Sequence, residues 1–101
     1  MSNNTENKKE ELRIKPGDVV AHFKRYSLNE EDFNSNKYLY RVIATNVIHS
    51  ETRELYIAYQ GLYSPFETYI RPQDMFLSEI DKNKYPMEYD KIKWRFNVIN
   101  P

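Results

Sequence analysis

The chain has 101 residues with 15 basic and 15 acidic side chains, no cysteine and two glycines. This length is typical of one modest domain, and the zero formal net charge argues against the strongly basic surface that sequence-independent nucleic-acid binding requires. Without cysteine the chain cannot build a disulfide framework, a thiol nucleophile or a cysteine-ligated zinc site, so we expect a cytoplasmic protein.

The N-terminal residues 1–12 are almost wholly polar and mix Asn with Lys and Glu. Such a segment cannot bury enough apolar surface to offset the entropy of ordering, which predicts a flexible tail followed by a single domain over residues 13–101. The start of the chain lacks the apolar core of a signal peptide, and no apolar run reaches 18 residues. We therefore expect no membrane partner.

The first half of the domain begins with a turn at residues 16–18, where Pro, Gly and Asp follow one another. Residues 19–23 carry Val, Val, Ala and Phe and predict a short strand. Residues 26–37 are rich in Asn, Glu, Asp and Ser and predict a surface loop. One helical turn is expected within it at residues 28–33, with Asn29 as the N-cap.

Residues 38–48 form the clearest element, because they are dense in β-branched and aromatic residues and contain neither Gly nor Pro. One face of this predicted strand carries Tyr38, Tyr40, Val42 and Ala44. Residues 49–53 are a polar connector, and residues 54–60 resume the strand pattern. Together the two strands predict a hairpin with a longer loop.

In the second half, residues 68–71 predict a brief strand that Pro72 ends or places at an edge. Residues 72–80 space their apolar side chains as a helical or 3₁₀ turn does, with Pro in the favoured first position. Residues 82–91 predict a loop around Pro86. Residues 92–98 alternate apolar and polar side chains strictly, which predicts a half-buried last strand.

Five short strands with short connectors and one short helical or 3₁₀ turn predict a mainly β protein. We expect a small SH3-like antiparallel barrel of about five strands. A five-stranded sheet packed by one helix is the alternative.

Several short motifs in a fixed order resemble a known family. They are HFK at residues 22–24, HSET at 49–52, YxxLY at 59–63, RPxxMF at 71–76 and RF at 95–96. This pattern is similar to the bacterial domain of unknown function family 1653. Arg25 stands where members of that family usually have a glycine, and Tyr69 where they often have tryptophan. The resemblance implies a compact, β-rich, bacterial cytoplasmic domain and implies no established activity.

The titratable residues do not form a complete metal or catalytic set. His22 and His49 are the only histidines, and a mixed site with Glu51 or Glu54 needs two loops to converge around three or four ligands. Ser50 follows His49 directly, yet a nucleophile also requires an oriented base and an oxyanion site. We therefore expect no enzyme, no metal and no cofactor. A small hydrolase that uses one of the histidines is a third hypothesis.

The two glycines, Gly17 and Gly61, stand far apart in the chain. A phosphate-binding loop needs several glycines within a few residues, because the backbone must approach the phosphate closely. P-loop and Rossmann functions are therefore excluded.

The best candidate site lies around Arg71. Tyr69 and Arg71 share one face of a predicted strand because side chains alternate with a period of two. Arg offers a planar fork of donors and Tyr a flat ring, a combination that suits a peptide carboxylate, a phosphate or a stacked base. The predicted ligand-binding residues are Tyr59, Tyr63, Tyr69, Arg71 and His22.

A structural role is the alternative for these residues. In that case Arg71 forms an internal salt bridge with Glu51 or Glu54, and the tyrosines complete a sparse core. The two interpretations differ in whether the guanidinium is accessible or consumed within the fold.

A basic stripe is predicted on the outer face of the last strand. It consists of Lys91, Lys93 and Arg95, with Lys82 and Lys84 before it. Lysines on an edge strand prevent sheet-to-sheet aggregation, which is the preferred interpretation. Trp94 and Phe96 point the other way by alternation, so the stripe lacks the aromatic platform of a nucleic-acid site.

These observations lead to one functional hypothesis and one alternative. The hypothesis is a small binding or adaptor module of unknown function that recognises a protein, a peptide or a small anionic ligand through an exposed Tyr/Arg surface. The alternative is nucleic-acid or nucleotide binding through the basic stripe and the tyrosines, which predicts an affinity that falls steeply with added salt.

Overall fold

A long hairpin forms the centre of the fold in the computed structural model, which describes residues 11–100. The hairpin extends into one sheet with the order β4-β3-β2-β1-β5, and every neighbouring pair is antiparallel. The strands are β1 (Val19–His22), β2 (Leu39–Ile48), β3 (Leu55–Gly61), β4 (Thr68–Pro72) and β5 (Phe96–Val98). The predicted mainly β architecture with five antiparallel strands is confirmed.

The predicted closure into an SH3-like barrel is not confirmed. β4 and β5 stand at opposite ends of the strand order and do not pair with each other, so the sheet is open. β5 contains only three residues, which offers little backbone for a closing ladder. The predicted tail, residues 1–12, falls almost entirely outside the described residues.

Short helices connect the strands. A 3₁₀ helix (Phe23–Ser27) and α1 (Glu30–Asn34) lie between β1 and β2, α2 (Gln73–Phe76) follows β4, and α3 (Pro86–Lys91) precedes β5. The predicted cap is confirmed, because the Asn29 side-chain oxygen accepts a hydrogen bond from the backbone N–H of Asp32 at 2.8 Å. No helix among residues 11–100 is long and apolar enough to cross a membrane.

The prediction of a loop over residues 82–91 is wrong in its second part, where α3 forms. Pro86 occupies the start of this helix. Proline is well tolerated there because its fixed φ suits a helix and its missing N–H would have no partner within the helix. Pro86 therefore begins a helix at the position where the sequence pattern had predicted a loop.

The last strand is shorter than the alternation of residues 92–98 predicted. Ile92 is the C-cap of α3, and Lys93 has a positive φ of 77° that redirects the chain. Trp94 takes part only in an isolated bridge with Glu79, and the strand itself begins at Phe96. The predicted basic stripe is therefore not a row of side chains along one strand.

Two irregularities in β2 create a binding place for α2. The register with β3 shifts between Val42 and Ala44 and again between Ala44 and Val47. Within the second bulge, the N–H of Asn46 donates to Gln73 Oε1 at 2.8 Å, and Gln73 Nε2 donates to Asn46 Oδ1 at 3.0 Å. The buried side chain of Gln73 thus supplies the hydrogen-bond partners that Asn46 lacks in the bulge, and it fixes α2 against the sheet.

The core occupies one face of the sheet, and α2 covers part of that face. Phe76 of α2 stacks on Phe96 of β5 with ring centroids 4.0 Å apart and an interplanar angle of 5°. Ile14, from the segment before β1, is fully buried in the same cluster. Arg13 fastens that segment by donating hydrogen bonds to the carbonyls of Phe96 at 2.8 Å and Leu77 at 3.1 Å.

Candidate functional site

Alternation and register bring the predicted residues of β3 and β4 together. Tyr59 lies opposite Tyr69, and Ile57 lies opposite Arg71. Residues that face each other in an antiparallel pair share one side of the sheet, so Arg71 and both tyrosines lie on the core face. The rings of Tyr59 and Tyr69 are 5.5 Å apart between centroids. The predicted sharing of one face by Tyr69 and Arg71 is present in the structure.

The Arg71 guanidinium lies among aromatic rings. Its Nε donates a hydrogen bond to the Tyr59 hydroxyl at 3.2 Å, and its Cζ is 5.7 Å from the centre of the Phe96 ring. Among residues 11–100 Arg71 forms no ion pair with a carboxylate, and its two terminal nitrogens make no hydrogen bond. The alternative of an internal salt bridge to Glu51 or Glu54 is therefore not what the structure shows.

Tyr63 joins the cluster through a second tyrosine of the core face. The hydroxyls of Tyr40 and Tyr63 are 3.0 Å apart and share a hydrogen bond. Burial, and secondly this hydrogen bond, raise the pKa of Tyr40 well above its usual range. The ring of Tyr63 also meets the ring of Tyr38 edge-on, at 6.4 Å between centroids. The hydrogen bond between Tyr40 and Tyr63 thus connects β2 to the loop after β3.

His22 ends β1 and is packed between aromatic rings. Its imidazole lies 4.7 Å from the ring of Phe23, 5.0 Å from Phe96 and 5.7 Å from Tyr38, measured between centroids. Its Nδ1 accepts a hydrogen bond from the backbone N–H of Lys24 at 3.2 Å. A neutral imidazole that accepts at Nδ1 carries its proton on Nε2, which is therefore a donor.

The surroundings of His22 are positively charged. The pKa of His22 is lowered to about 4, firstly by burial and secondly by the positive charges of Arg71, Lys24 and Arg95. These cations come from β4, from the 3₁₀ helix and from the segment before β5. No described carboxylate acts on this pKa in the opposite direction. His22 is therefore neutral at ordinary pH and lies in a positive field.

Tyr69 marks the side of the cluster that carries a negative charge. Its hydroxyl donates a hydrogen bond to Glu67 Oε1 at 2.8 Å. This hydrogen bond, followed by burial, raises the pKa of Tyr69 to about 12. Glu67 itself is exposed. The hydroxyl of Tyr69 is thus already engaged by a carboxylate at the margin of the surface.

We use the name Tyr/Arg cluster for the side chains that these contacts connect. Its members are His22, Tyr38, Tyr40, Tyr59, Tyr63, Tyr69, Arg71 and Phe96. Tyr40, Tyr59 and Phe96 are buried and form its floor, and the other members are half-buried. All five predicted ligand-binding residues belong to the cluster. That they bind a ligand stays a prediction.

Sequence reasoning missed Tyr38, Tyr40 and Phe96 as parts of this site. The alternation in the predicted strand over residues 38–48 already placed Tyr38 and Tyr40 on one face, and this signal could have been used. No local signal was available for Phe96, because it reaches His22 through the pairing of β5 with β1. That pairing joins residues 74 positions apart in the chain.

The model of the family described as "Protein of unknown function (DUF1653)" matches residues 19–98. The chain belongs to this family. No curated protein and no solved structure matches the chain. Because the description of DUF1653 assigns no activity, a function for this DUF1653 domain has to be argued from its own geometry.

The second histidine of this DUF1653 domain serves a turn. His49 Nδ1 accepts hydrogen bonds from the backbone N–H groups of Glu51 and Thr52, both at 3.2 Å. Over residues 11–100 neither imidazole pairs with a carboxylate. The same residues hold no group of three or more His, Cys, Asp or Glu side chains that could bind a metal ion. The hydrolase hypothesis thus gains no His–carboxylate pair from the described structure.

The members of the predicted basic stripe have separate surroundings. Lys91 is the last residue of α3, and Lys93 Nζ lies 3.7 Å from Glu79 Oε2 in an exposed ion pair. The half-buried Arg95 donates from Nε to Ser78 Oγ at 3.1 Å. Two of the three cations are therefore partly engaged within the fold, and the three do not form a continuous surface row.

One surface cleft adjoins the Tyr/Arg cluster. It has a volume of about 330 Å³ and is lined by Ser35, Lys37, Tyr63 and Ser64. Two other clefts, of about 190 and 260 Å³, lie beside Tyr26 and Ile92 on another part of the domain. Because Tyr63 belongs both to the first cleft and to the cluster, a ligand that reaches across Tyr63 contacts both.

Proposed function

We propose that this DUF1653 domain is a non-enzymatic binding or adaptor module, which recognises a peptide, a protein or a small anionic ligand through the Tyr/Arg cluster. The observation that carries the proposal is the state of Arg71. Its guanidinium is half-buried among rings, yet its two terminal nitrogens have no partner within residues 11–100. A guanidinium edge of this kind binds carboxylate or phosphate oxygens with two parallel hydrogen bonds.

The electrostatic surroundings support an anionic ligand. Arg71, Lys24 and Arg95 all act on His22 as positive charges. An anion bound at Arg71 would therefore be attracted by Arg71 itself and by the nearby charges of Lys24 and Arg95. Hydrogen bonds between ionised groups are also roughly twice as strong as those between neutral groups.

The rigidity of the cluster supports recognition as its role. Tyr59 is held by Arg71, Tyr63 by Tyr40, and Tyr69 by Glu67. Side chains that are already fixed lose little conformational entropy when a ligand binds. Tyrosine and arginine are also the residue types that most often dominate the energy of protein interfaces.

Nucleic-acid or nucleotide binding remains the alternative proposal, and the geometry supports it less. Lys93 is paired with Glu79, Arg95 donates to Ser78, and Lys91 belongs to a helix. A gel shift with single- and double-stranded DNA and RNA at low salt tests this alternative. Binding that weakens steeply as salt is added would favour it.

Bacterial origin, a cytoplasmic location and an SH3-like relationship are part of the same proposal. The first two were implied by the family resemblance and by the absence of cysteine. The third has its support in the five-stranded antiparallel sheet alone.

The proposal is tested by peptide display on the wild-type domain, followed by binding measurements on two variants. Arg71→Gln removes the guanidinium of the cluster. Arg41→Gln is the matched control, because it removes the same charge from an exposed position whose neighbours Tyr40 and Val42 are buried on the core face. We expect enriched peptides to carry a carboxylate and to bind Arg71→Gln about tenfold or more weakly, since a charged hydrogen bond is worth about 1.5–3 kcal/mol.

The control must keep its affinity, and both variants must show the wild-type thermal unfolding transition within a few degrees. Enriched peptides that bind Arg71→Gln as tightly as the wild type would show that the Tyr/Arg cluster is not the recognition surface. A panel of small anions in the same assay covers ligands that are not peptides.

A further inference from the structure

The chemistry of the Tyr/Arg cluster narrows the class of ligand. We infer that its ligand group is a single carboxylate on an apolar body, held by the two terminal nitrogens of Arg71 with the Nε2–H of His22 as the neighbouring donor. This inference rests on the proposed function and goes beyond it, because it selects one anion chemistry from several.

The first step concerns which edge of the guanidinium is free. Arg71 Nε is already bonded to the Tyr59 hydroxyl, so only the end of the fork that carries the two terminal nitrogens is open. Its outward N–H groups are parallel and match two oxygens of a planar group. A carboxylate presents two such oxygens in one plane, and bidentate pairing satisfies both of them.

The second step concerns how much negative charge the site can hold. A phosphate carries about −1.5 to −2 charges at pH 7 and three acceptor oxygens, so it generally requires several cationic or strong donors. Here His22 is neutral, Tyr40 and Tyr63 are bonded to each other, and Tyr69 is bonded to Glu67. One free guanidinium edge and one neutral imidazole N–H suit a monoanion with two oxygens.

The third step concerns the negative charge of Glu67 at the margin of the cluster. Glu67 is held there by the Tyr69 hydroxyl at 2.8 Å. Tyr69 and Arg71 follow one another on the same face of β4, so the Glu67 carboxylate lies on the far side of Tyr69 from a ligand at Arg71. Repulsion between like charges grows with the charge of the ligand, and a dianion is therefore penalised more than a monoanion.

The fourth step concerns the part of the ligand that carries the carboxylate. The half-buried ring of Tyr38 lies beside His22, and the half-buried ring of Tyr63 meets Tyr38 and continues into the cleft of about 330 Å³. A ligand with an apolar or aromatic body gains the most binding energy by packing against such rings. The carboxylate at the C-terminus of a peptide, a Glu or Asp side chain and a free organic acid all share this chemistry.

The experiment is an NMR titration of the full-length ¹⁵N-labelled chain at pH 7 and constant ionic strength. The probes are phenylacetate, phenylacetamide and phenyl phosphate, which carry the same ring on a carboxylate, on a neutral amide and on a phosphate. Observed signals are the Arg71 Nε–H and the His22 ring. We expect phenylacetate to bind about fivefold more tightly than phenyl phosphate, and phenylacetamide to cause no saturable shift.

Matched variants locate the effect. Arg71→Gln should abolish the shifts from phenylacetate, whereas Arg41→Gln should leave its dissociation constant unchanged. Three short peptides then distinguish the sources of the carboxylate: one with a free C-terminal Phe, the same peptide amidated, and an amidated peptide with an internal Glu. The peptide that binds most tightly shows whether the carboxylate comes from a chain terminus or from a side chain.

The two histidines supply a second measurement. A carboxylate beside His22 should raise the pKa of His22, because it opposes the charges of Arg71, Lys24 and Arg95. Phenylacetate at a concentration that keeps its ionised form saturating down to about pH 4 should move the titration midpoint of His22 upward by about half a unit or more. The ring signals of His49, which lies in an exposed turn, should not shift when the probe is added at pH 7.

The outcomes separate this inference from the proposed function. Phenyl phosphate binding at Arg71 as tightly as phenylacetate, or more tightly, overturns the carboxylate inference and leaves an anion-binding module in place. Equal binding of phenylacetamide shows recognition of the ring alone and also overturns it. If no probe or peptide shifts Arg71 or His22, the inference and the proposed function both fail.

Discussion

At the scale of single residues, His22 shows how the fold changes ordinary side-chain chemistry. An isolated histidine is partly protonated near neutral pH, whereas His22 is packed against Phe96 and repelled by nearby cations. Protonation inside the fold would place a fourth positive charge beside Arg71, Lys24 and Arg95. The fold therefore keeps His22 neutral at ordinary pH, with its Nε2–H as a hydrogen-bond donor.

The lowered pKa of His22 makes folding stability depend on pH. The pKa is 6.5 for the ordinary group and about 4 in the fold, so between these values the unfolded chain binds more protons than the folded chain. The contribution of His22 is complete above about pH 6.5 and is lost as the pH falls towards about 4. We expect a loss of up to about 3 kcal/mol, reduced by whatever solvent reaches the ring.

Urea unfolding from pH 7.5 to 4 measures this contribution when the wild type is compared with His22→Asn. The variant is expected to be less stable at pH 7.5 and to lose less stability on acidification. His49→Asn is the control, because His49 is exposed. Parallel pH profiles for the wild type and His22→Asn would contradict the assignment of a lowered pKa.

At the scale of elements, a buried arginine holds the segment between β1 and β2. Arg25 is only 7% exposed, its Nη1 donates to the carbonyl of Lys37 at 2.9 Å, and its Cζ lies 3.8 Å from the centre of the Phe33 ring. The 3₁₀ helix buries Phe23 and Arg25, whereas α1 buries none of its residues. Arg25 therefore connects the beginning of this segment to its end.

Replacing Arg25 with Ala should loosen this segment while the sheet stays intact. The variant loses a hydrogen bond from a charged donor and a cation–π contact, and we expect it to be less stable by about 1–3 kcal/mol. Amide hydrogen exchange over residues 28–37 should accelerate, and exchange in β2 and β3 should change less.

Lys24→Ala is the matched control, because Lys24 is the exposed neighbour of Arg25. It should leave exchange over residues 28–37 as in the wild type. Unchanged protection of α1 in Arg25→Ala would show that other contacts hold the segment.

At the scale of the whole molecule, the open sheet has its core on one face, and other parts of the chain must cover that face to keep water from it. Short helices and the segment before β1 supply that cover, and Phe76 is its centre because it is fully buried on Phe96 and also meets Tyr59 at 4.9 Å. The floor of the Tyr/Arg cluster is thus the outer end of the same core. Changes in the core should therefore reach the site.

Phe76→Ala tests this dependence of the fold on one contact. Truncation of a buried phenylalanine costs about 3–5 kcal/mol, which is a large fraction of the 5–15 kcal/mol that holds a typical domain. Urea unfolding should show this loss of unfolding free energy. In the fraction of the variant that stays folded, the pKa of His22 should move back towards 6.5.

Phe66→Ala is the matched control, because Phe66 is 56% exposed and its ring is not part of the buried core. Its unfolding free energy should change by less than about 0.5 kcal/mol. A loss of under 1 kcal/mol in Phe76→Ala would mean that α2 is not the main cover of the sheet.

The parts of the structure that the sequence predicted depend on neighbours in the chain. The strands β1 to β4, the Asn29 cap and the shared face of Tyr69 and Arg71 all follow from local periodicity and local hydrogen bonding. The predictions were wrong at α3 and at the short β5. Pro86 begins α3, and the positive φ of Lys93 precedes β5, but the effect of each residue depends on its surroundings in the fold.

The tertiary structure alone decided whether the candidate residues form one site. β5 pairs with β1, which places Phe96 beside His22, and the bulges of β2 receive Gln73 of α2. Contacts of this kind join segments far apart in the chain, and alternation within one strand contains no information about which strand becomes its neighbour. The sequence by itself therefore determined β1 to β4 and the side chains on their faces, and only the long-range pairing assembled Arg71, His22 and the tyrosines around a common aromatic floor.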